Sequence, residues 1–379
     1  LGNFIMPGLL PNIDPDGLLE YSVVYTDRSL NHMSASFQKA MNDVSSSLKK
    51  VYNAESVVLV PGGGTYGMEA VARQFATDKN CLVLRNGWFS YRWSQILEMG
   101  NIPSKLTVLK ASREIDGPQE PFSPLDVDLV IEKIKTEKPA MVFAPHVETS
   151  AGIILPNDYI KSVSDAVHSV GGMFVLDCIA SGAIWIDMEK CGVDVLVSAP
   201  QKGWSASPAF GMVMLSKNAS EKIHNTQSTS FSCDLLKWLQ IMQTYENGGH
   251  AYHATMPTDA IKHFRDTINE TAEFGFDRAR DKQQELGDRV RELLNKHHFI
   301  SVAAEGFHAP GVVVSYTKDQ AIHNGSKFKD MGIQIAAGVP LQCDEGEDYQ
   351  TFRLGLFGLD KLKNVDAAVQ KLEDAFNNL

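Results

Sequence analysis

The chain has 379 residues, of which 44% are hydrophobic and 21% charged, and a formal net charge of -11. This is a globular composition, long enough for two or three domains, and its acidic balance without a basic block excludes nucleic acid as the main partner. There is no run of about 18 apolar residues, so no membrane span is expected.

The opening LGNFIMPGLLPN has neither a basic n-region nor a long apolar stretch, so no signal peptide is expected. From there short β-branched runs alternate with helical patterns. The runs are SVVLV (56–60), CLVLR (81–85), AMVFA (140–144), MFVLD (173–177), DVLVS (194–198) and GMVML (211–215). Amphipathic stretches at 126–137 and 157–170 lie between them. Strand and helix signals in alternation predict a mostly parallel sheet covered on both faces. A long amphipathic stretch follows over 259–297. The strand signals FISVAAE (299–305), GVVVSYT (311–317) and TFRLGLFG (351–358), with a final helix in NVDAAVQKLEDAFNNL, predict a smaller α+β domain. Cys81, Cys178, Cys191, Cys233 and Cys343 form no C-x-x-C pair. They are expected as free thiols in a reducing cytosol, with no disulfide framework and no metal site.

In open α/β sheets ligands bind beyond the carboxyl ends of the strands. The segments just past five strand signals are PGGGTYG, NGWFSYR, HVETSAG, DCIASG and APQKGW, all polar, small or aromatic, and all converging on one rim. The glycine turn before a helix reads either as a tight turn or as a cradle for a phosphate on a helix N-terminus. Asp177, ending an apolar strand, reads as a helix N-cap or as the partner of a cation. Lys202 reads as a loop lysine or as an amine held for covalent chemistry. The aromatics Trp88, Phe89, Tyr91 and Trp93 read as packing or as a stacking face. An acid, an amine and a phosphate cradle on neighbouring strand ends match the three handles of pyridoxal 5'-phosphate.

Seven ordered motifs carry a resemblance: MPGLLP with the glycine turn, NGWFSYR, HVETSAG, LDCIASG, SAPQKGW, YHATMP and FRLGLFG. Together they resemble the class V aminotransferases of the fold type I pyridoxal-phosphate superfamily, in particular the alanine–glyoxylate and serine–glyoxylate branch. The resemblance implies a seven-stranded, mostly parallel large domain over 17–258 and a long linking helix with a small α+β domain over 259–379. It also implies an N-terminal segment, 1–16, that contributes to the active-site region. By position, Lys202 matches the Schiff-base lysine, Gln201 the phosphate-binding residue before it, and Asp177 the partner of the pyridine nitrogen. Phe89 matches the stacking aromatic, Ile179 the apolar residue under the other ring face, and Thr149 the hydroxyl that reaches the phenolic oxygen. Gly63, Gly64 and Thr65 match the phosphate turn. Tyr252 and Thr255 match residues that cross a dimer interface to the partner's cofactor site. Arg353 matches the arginine that holds the substrate carboxylate, and Gly8 lies in the segment near the substrate.

What the resemblance implies is a cytoplasmic homodimer. It would move an amino group from a small amino acid of the alanine or serine class to glyoxylate or pyruvate, in a ping-pong reaction. Two alternatives on the same scaffold are a phosphonate- or phosphoserine-type aminotransferase, which needs an extra cation in the pocket, with Arg28, Arg92 and the neighbours of Lys202 as candidates, and a lyase or cysteine desulfurase, for which Cys343 is the thiol to test. Departures from the family pattern fall at Leu9 after Pro7-Gly8, at Ser90, at Ala151 and at Cys178.

Overall fold

The computed structural model describes residues 17–115 and 117–379. The first regular element is helix α1 (Ala35–Tyr52). Its apolar residues Phe37, Met41, Val44 and Leu48 recur at helical spacing and are all buried, while Ser34 caps its start by accepting from Phe37 N. Fully burying one such side chain contributes about 1.5–3 kcal/mol, so tertiary packing holds this helix in place. Asn53 ends it in the left-handed conformation, at φ 53°.

The central sheet is built from β1 (Ser56–Pro61), β2 (Asn80–Arg85), β3 (Lys105–Lys110), β4 (Met141–Pro145), β5 (Met173–Asp177), β6 (Val195–Ser198) and β7 (Phe210–Leu215). Their spatial order is β1-β7-β6-β5-β4-β2-β3. Every pairing is parallel except the two that β7 makes, with β1 and with β6. Strands β4 to β7 are buried along their whole length, as expected of strands covered by helices on both faces. The edge strand β3, KLTVLK, is half-exposed and was not among the strand signals read above; its mixed polar and apolar residues suit a sheet edge.

The longer helices are α2 (Gly64–Phe75), α3 (Trp88–Met99), α4 (Val127–Glu137), α5 (Asn157–Ser169), α6 (Leu235–Glu246), α7 (Thr258–Phe274), α8 (Phe276–Lys296) and α9 (Val365–Phe376). The stretch 259–297, expected as one long helix, is two. Gly275 sits between them at φ 97°, a conformation that a side chain disfavours. The break also separates two cores. Ile261, Phe264 and Ile268 of α7 join the core of the large sheet. Leu286, Val290 and Leu294 of α8 join a second core with α9 and a small antiparallel sheet.

That sheet comprises β8 (Val312–Tyr316), β9 (Ala336–Ala337) and β10 (Thr351–Gly355), in the order β8-β10-β9. The expected strand at 299–305 is not a strand. It makes only isolated bridges, Ser301 with Ser315 and Ala303 with Phe122, because it crosses between elements and lies beside no single partner.

Among the described residues, no helix is long and apolar enough to cross a membrane. All five cysteines are buried and free. Trp204 is packing: its ring centroid lies 4.5 Å from that of Trp185 and its indole N–H donates to Tyr52 Oη at 3.2 Å.

Candidate active site

The carboxyl ends of five parallel-running strands surround one cleft of about 190 Å³. After β1 come Gly64 and Thr65, in the first turn of α2. After β2 come Phe89 and Arg92, three residues apart and therefore on one face of α3. After β4 come Val147 and Thr149, after β5 Asp177 and Ile179, and after β6 Gln201 and Lys202. Eight of the residues picked out by sequence thus meet in one cavity, with Gly63 directly before α2.

Asp177 ends β5 with its carboxyl buried. Its Oδ1 accepts from Ile179 N at 2.9 Å, and among the described residues nothing donates to Oδ2. Burial pushes this acid up to about 7, and the nearby Glu148 adds to the rise. The Ile179 amide, Arg92 and Lys202 pull the other way. A buried carboxyl raised this far ionises fully only beside a cation. Lys202 is displaced in the opposite sense. Burial first, then the Arg353 and Arg92 charges, hold its ammonium below the usual lysine range, against the pull of Asp177. Its Nζ lies 5.1 Å from the centre of the Phe357 ring. A desolvated amine with a lowered pKa is suited to take and return a proton.

The start of α2 is open. No side chain caps it, and the leading amides of Gly64 and Thr65 have no acceptor among the described residues. A Cβ built on Gly63 would meet nothing within 4 Å. Arg92 Nη1 donates to Thr65 Oγ1 at 3.1 Å, which sets a guanidinium beside this turn. The Phe89 ring has two arginines near it, Arg92 at 5.3 Å and Arg353 at 5.6 Å from its centroid. Arg353 sits on β10, and its Nε donates to Ala337 O at 2.8 Å; among the described residues neither terminal nitrogen of the fork has a hydrogen-bond acceptor.

Of the expected residues that the structure describes, Arg353 stands beside the cleft without lining it, and Tyr252 and Thr255 are not among its lining. Tyr252 and Thr255 are exposed and bonded to each other, Tyr252 Oη to Thr255 Oγ1 at 3.0 Å. Gly8, like all of 1–16, lies outside the described residues. His146, within HVETSAG, is buried against Ser181 Oγ at 2.7 Å, and burial pushes its imidazole down to about 3, so it is a neutral structural group. Cys343 does not line the cavity; its Sγ donates to Arg85 O at 3.4 Å, and burial pushes its thiol up to about 12. It therefore presents no thiolate to a substrate. Arg92, one of the candidate extra cations, lines the cleft, and its helical spacing from Phe89 carries the signal.

The family model described as aminotransferase class-V matches residues 18–343. The chain belongs to the class-V aminotransferases. This class-V aminotransferase is 25% identical over 350 residues to alanine–glyoxylate aminotransferase 1 of Saccharomyces cerevisiae, covering 87% of this chain and 86% of the yeast protein. It is 26% identical over 329 residues to the 2-aminoethylphosphonate–pyruvate transaminase of Syntrophobacter fumaroxidans, covering 84% and 82%. Among solved structures, the alanine–glyoxylate aminotransferase of Nostoc sp. superposes with a TM-score of 0.76 at 21% identity, over 91% of this chain and 88% of that one, which shows the shared fold. The fold is therefore that of the fold type I enzymes, and the chain is a pyridoxal-phosphate-dependent transaminase.

The residues of the cleft fit that cofactor. Asp177 offers an uncompensated buried carboxylate for a pyridinium, Lys202 an amine for an aldehyde, and α2 an uncapped helix start for a phosphate.

Proposed function

We propose that this aminotransferase takes the amino group of a small amino acid of the alanine or serine class and passes it to glyoxylate or pyruvate, in a ping-pong cycle. We propose further that it works as a homodimer in the cytoplasm, with Tyr252 and Thr255 reaching the partner's cofactor site. The observation that carries this reading is the meeting of Asp177, Lys202 and the open start of α2 in one small cleft, with Arg353 5.6 Å from the Phe89 ring centre.

When bound, pyridoxal phosphate supplies an electron sink for the pair left behind as the substrate's α-proton departs. Asp177 would hold the proton on the pyridine nitrogen. The amides of Gly64 and Thr65, with Gln201, would hold the phosphate. Phe89 and Ile179 would flank the ring, and Thr149 would bond its phenolic oxygen. Lys202 Nζ would take the proton from the substrate's α-carbon and hold it for return. Arg353 grips the substrate carboxylate with its paired N–H groups.

A half-reaction screen tests the substrate class. Alanine or serine should bleach the visible band of the bound cofactor, and glyoxylate or pyruvate should restore it. Arg353→Gln should raise KM for the amino donor roughly 10- to 100-fold, as loss of a charge-assisted pair costs, with kcat changing much less. An unaltered KM would remove Arg353 from the carboxylate site.

A second reading has one specific observation behind it. Arg92 lines the cleft and bonds only Thr65 Oγ1 there, so a second cation is available for a donor that carries two negative charges, such as an aminophosphonate. Bleaching by an aminophosphonate but not by alanine or serine, abolished in Arg92→Gln, would favour it.

A further inference from the structure

We propose that Glu148 is a positioning residue: its buried carboxylate clamps the start of α3 to the 146–152 turn and so fixes where the Phe89 ring and the Thr149 hydroxyl stand in the cleft. The proposal rests on the reading of Phe89 as the residue that faces the cofactor ring.

Glu148 is 0% exposed. A buried carboxylate needs donors on both oxygens, or it costs several kcal/mol to keep ionised. Glu148 has five. Its Oε1 accepts from Phe89 N at 3.2 Å, Ser150 N at 3.1 Å and Ser150 Oγ at 2.7 Å. Its Oε2 accepts from Ser90 N at 2.8 Å and Ser90 Oγ at 2.7 Å. Ser150 Oγ in turn accepts from Trp88 N at 2.9 Å. The amides of residues 88–90, the first turn of α3, are thus all taken up by Glu148 and its neighbour Ser150. The positive end of the α3 dipole faces the carboxylate.

The packing around this clamp is tight. A Cβ on Gly87 would lie 2.1 Å from Ser150 Oγ and 2.7 Å from Glu148 Cγ, so only glycine admits the approach. The contrast with α2 is informative. The two helices start on the same rim, one left open and the other closed by an internal anion. Closing α3 gives the turn no ligand-binding role of its own; what it does is fix the backbone of Phe89 on one side and of Thr149, the next residue after Glu148, on the other. Both side chains line the cleft. Glu148 itself does not.

Glu148→Gln keeps the shape and removes the charge, and it turns an NH₂ group toward Ser90 N–H or Phe89 N–H. In the cofactor-free protein, hydrogen exchange at the amides of Phe89 and Ser90 should speed up about 10-fold or more while exchange in β4 and β5 stays unchanged. In the holoenzyme, the visible circular dichroism of the bound cofactor should weaken, and kcat should fall roughly 10- to 100-fold with KM within about 3-fold, as expected of a displaced but intact catalytic set. Glu148→Gln should cost less in a Phe89→Ala background than in the wild type, because Glu148 acts in part through that ring and in part through Thr149. Unchanged exchange at 89–90, or rate losses that multiply in the double variant, would overturn the proposal. Should Glu148→Gln not fold, Ser150→Ala keeps the carboxylate and its Ser90 bonds and cuts the link to Trp88 N; it should show the same exchange and dichroism changes in smaller degree, and their absence would equally overturn it. Failure of the underlying reading looks different: Phe89→Ala would then leave the cofactor's dichroism untouched, whatever exchange reports about Glu148.

Discussion

Replacing Lys202 with alanine is expected to lower turnover by at least about 1,000-fold, the scale of losing a proton-transfer group that is also a covalent anchor. The visible band of the lysine-bound cofactor should vanish with it. A loss confined to KM, or turnover at the wild-type rate, would sink the assignment. The same lysine makes a prediction for the cofactor-free protein. Its folded pKa lies below the usual 10.5, so between the folded value and 10.5 the unfolded chain binds more protons. Stability from this group therefore rises with pH through that window and is lowest below it. Lys202→Met removes the cost of burying the ammonium. It should melt higher than wild type at neutral pH, and the gap should narrow on the alkaline side. Thermal melts of both cofactor-free proteins across that range check the sign.

Replacing Asp177 with asparagine should cost roughly a hundred- to several-thousand-fold in kcat, the range for breaking a buried charge pair. Asparagine keeps the shape and can accept a hydrogen bond, but it cannot hold a proton on the pyridine nitrogen. The cofactor should still bind through the phosphate cradle and Lys202, so the defect should appear in the proton-transfer step more than in loading. The pH behaviour separates this from a general fault. In the cofactor-free fold the Asp177 carboxyl is pushed up to about 7 from its ordinary 3.8. Between those values the folded state binds more protons than the unfolded one, so stability falls as pH rises, by up to about 4 kcal/mol. Wild-type cofactor-free protein should thus lose melting temperature from pH 4 to pH 7 by more than Asp177→Asn does. Cofactor should cancel the difference by supplying the missing cation. Parallel melting curves for the two proteins would show that Asp177 is not the buried, unpaired acid described here.

Much of this site was legible before any coordinates. Lys202, Gln201, Asp177, Thr149, Phe89 and Thr65 each follow a strand signal, and the rule that ligands bind beyond strand ends brought them together. What the reading could not resolve were cases where two local signals conflict or none exists. The edge strand β3 was missed because half-exposed KLTVLK shows neither a buried apolar run nor clean alternation. FISVAAE was misread because its apolar residues are consumed by two separate partners. Trp204 carries no local signal that names its partners, because an indole two places past a lysine and an indole in a core look alike in sequence. The Trp185 ring and the Tyr52 hydroxyl decide it.

The sequence by itself determined the alternating α/β architecture and the chemical kinds gathered on one rim: an acid, an amine, a glycine turn and an aromatic. These follow from short-range rules, since strand pattern and strand-end position are both written within a few residues of each group. Only the tertiary structure decided which cations face the cleft and what holds Phe89. Arg92 and Arg353 come from elements more than 250 residues apart, and both lie within 6 Å of the ring centre of Phe89. Glu148 reaches α3 across some 60 residues of chain to satisfy its first turn. Such long-range pairings have no periodicity to betray them. They exist because a buried charge is stable only where folding delivers its partners, and only the closed fold specifies which partners those are.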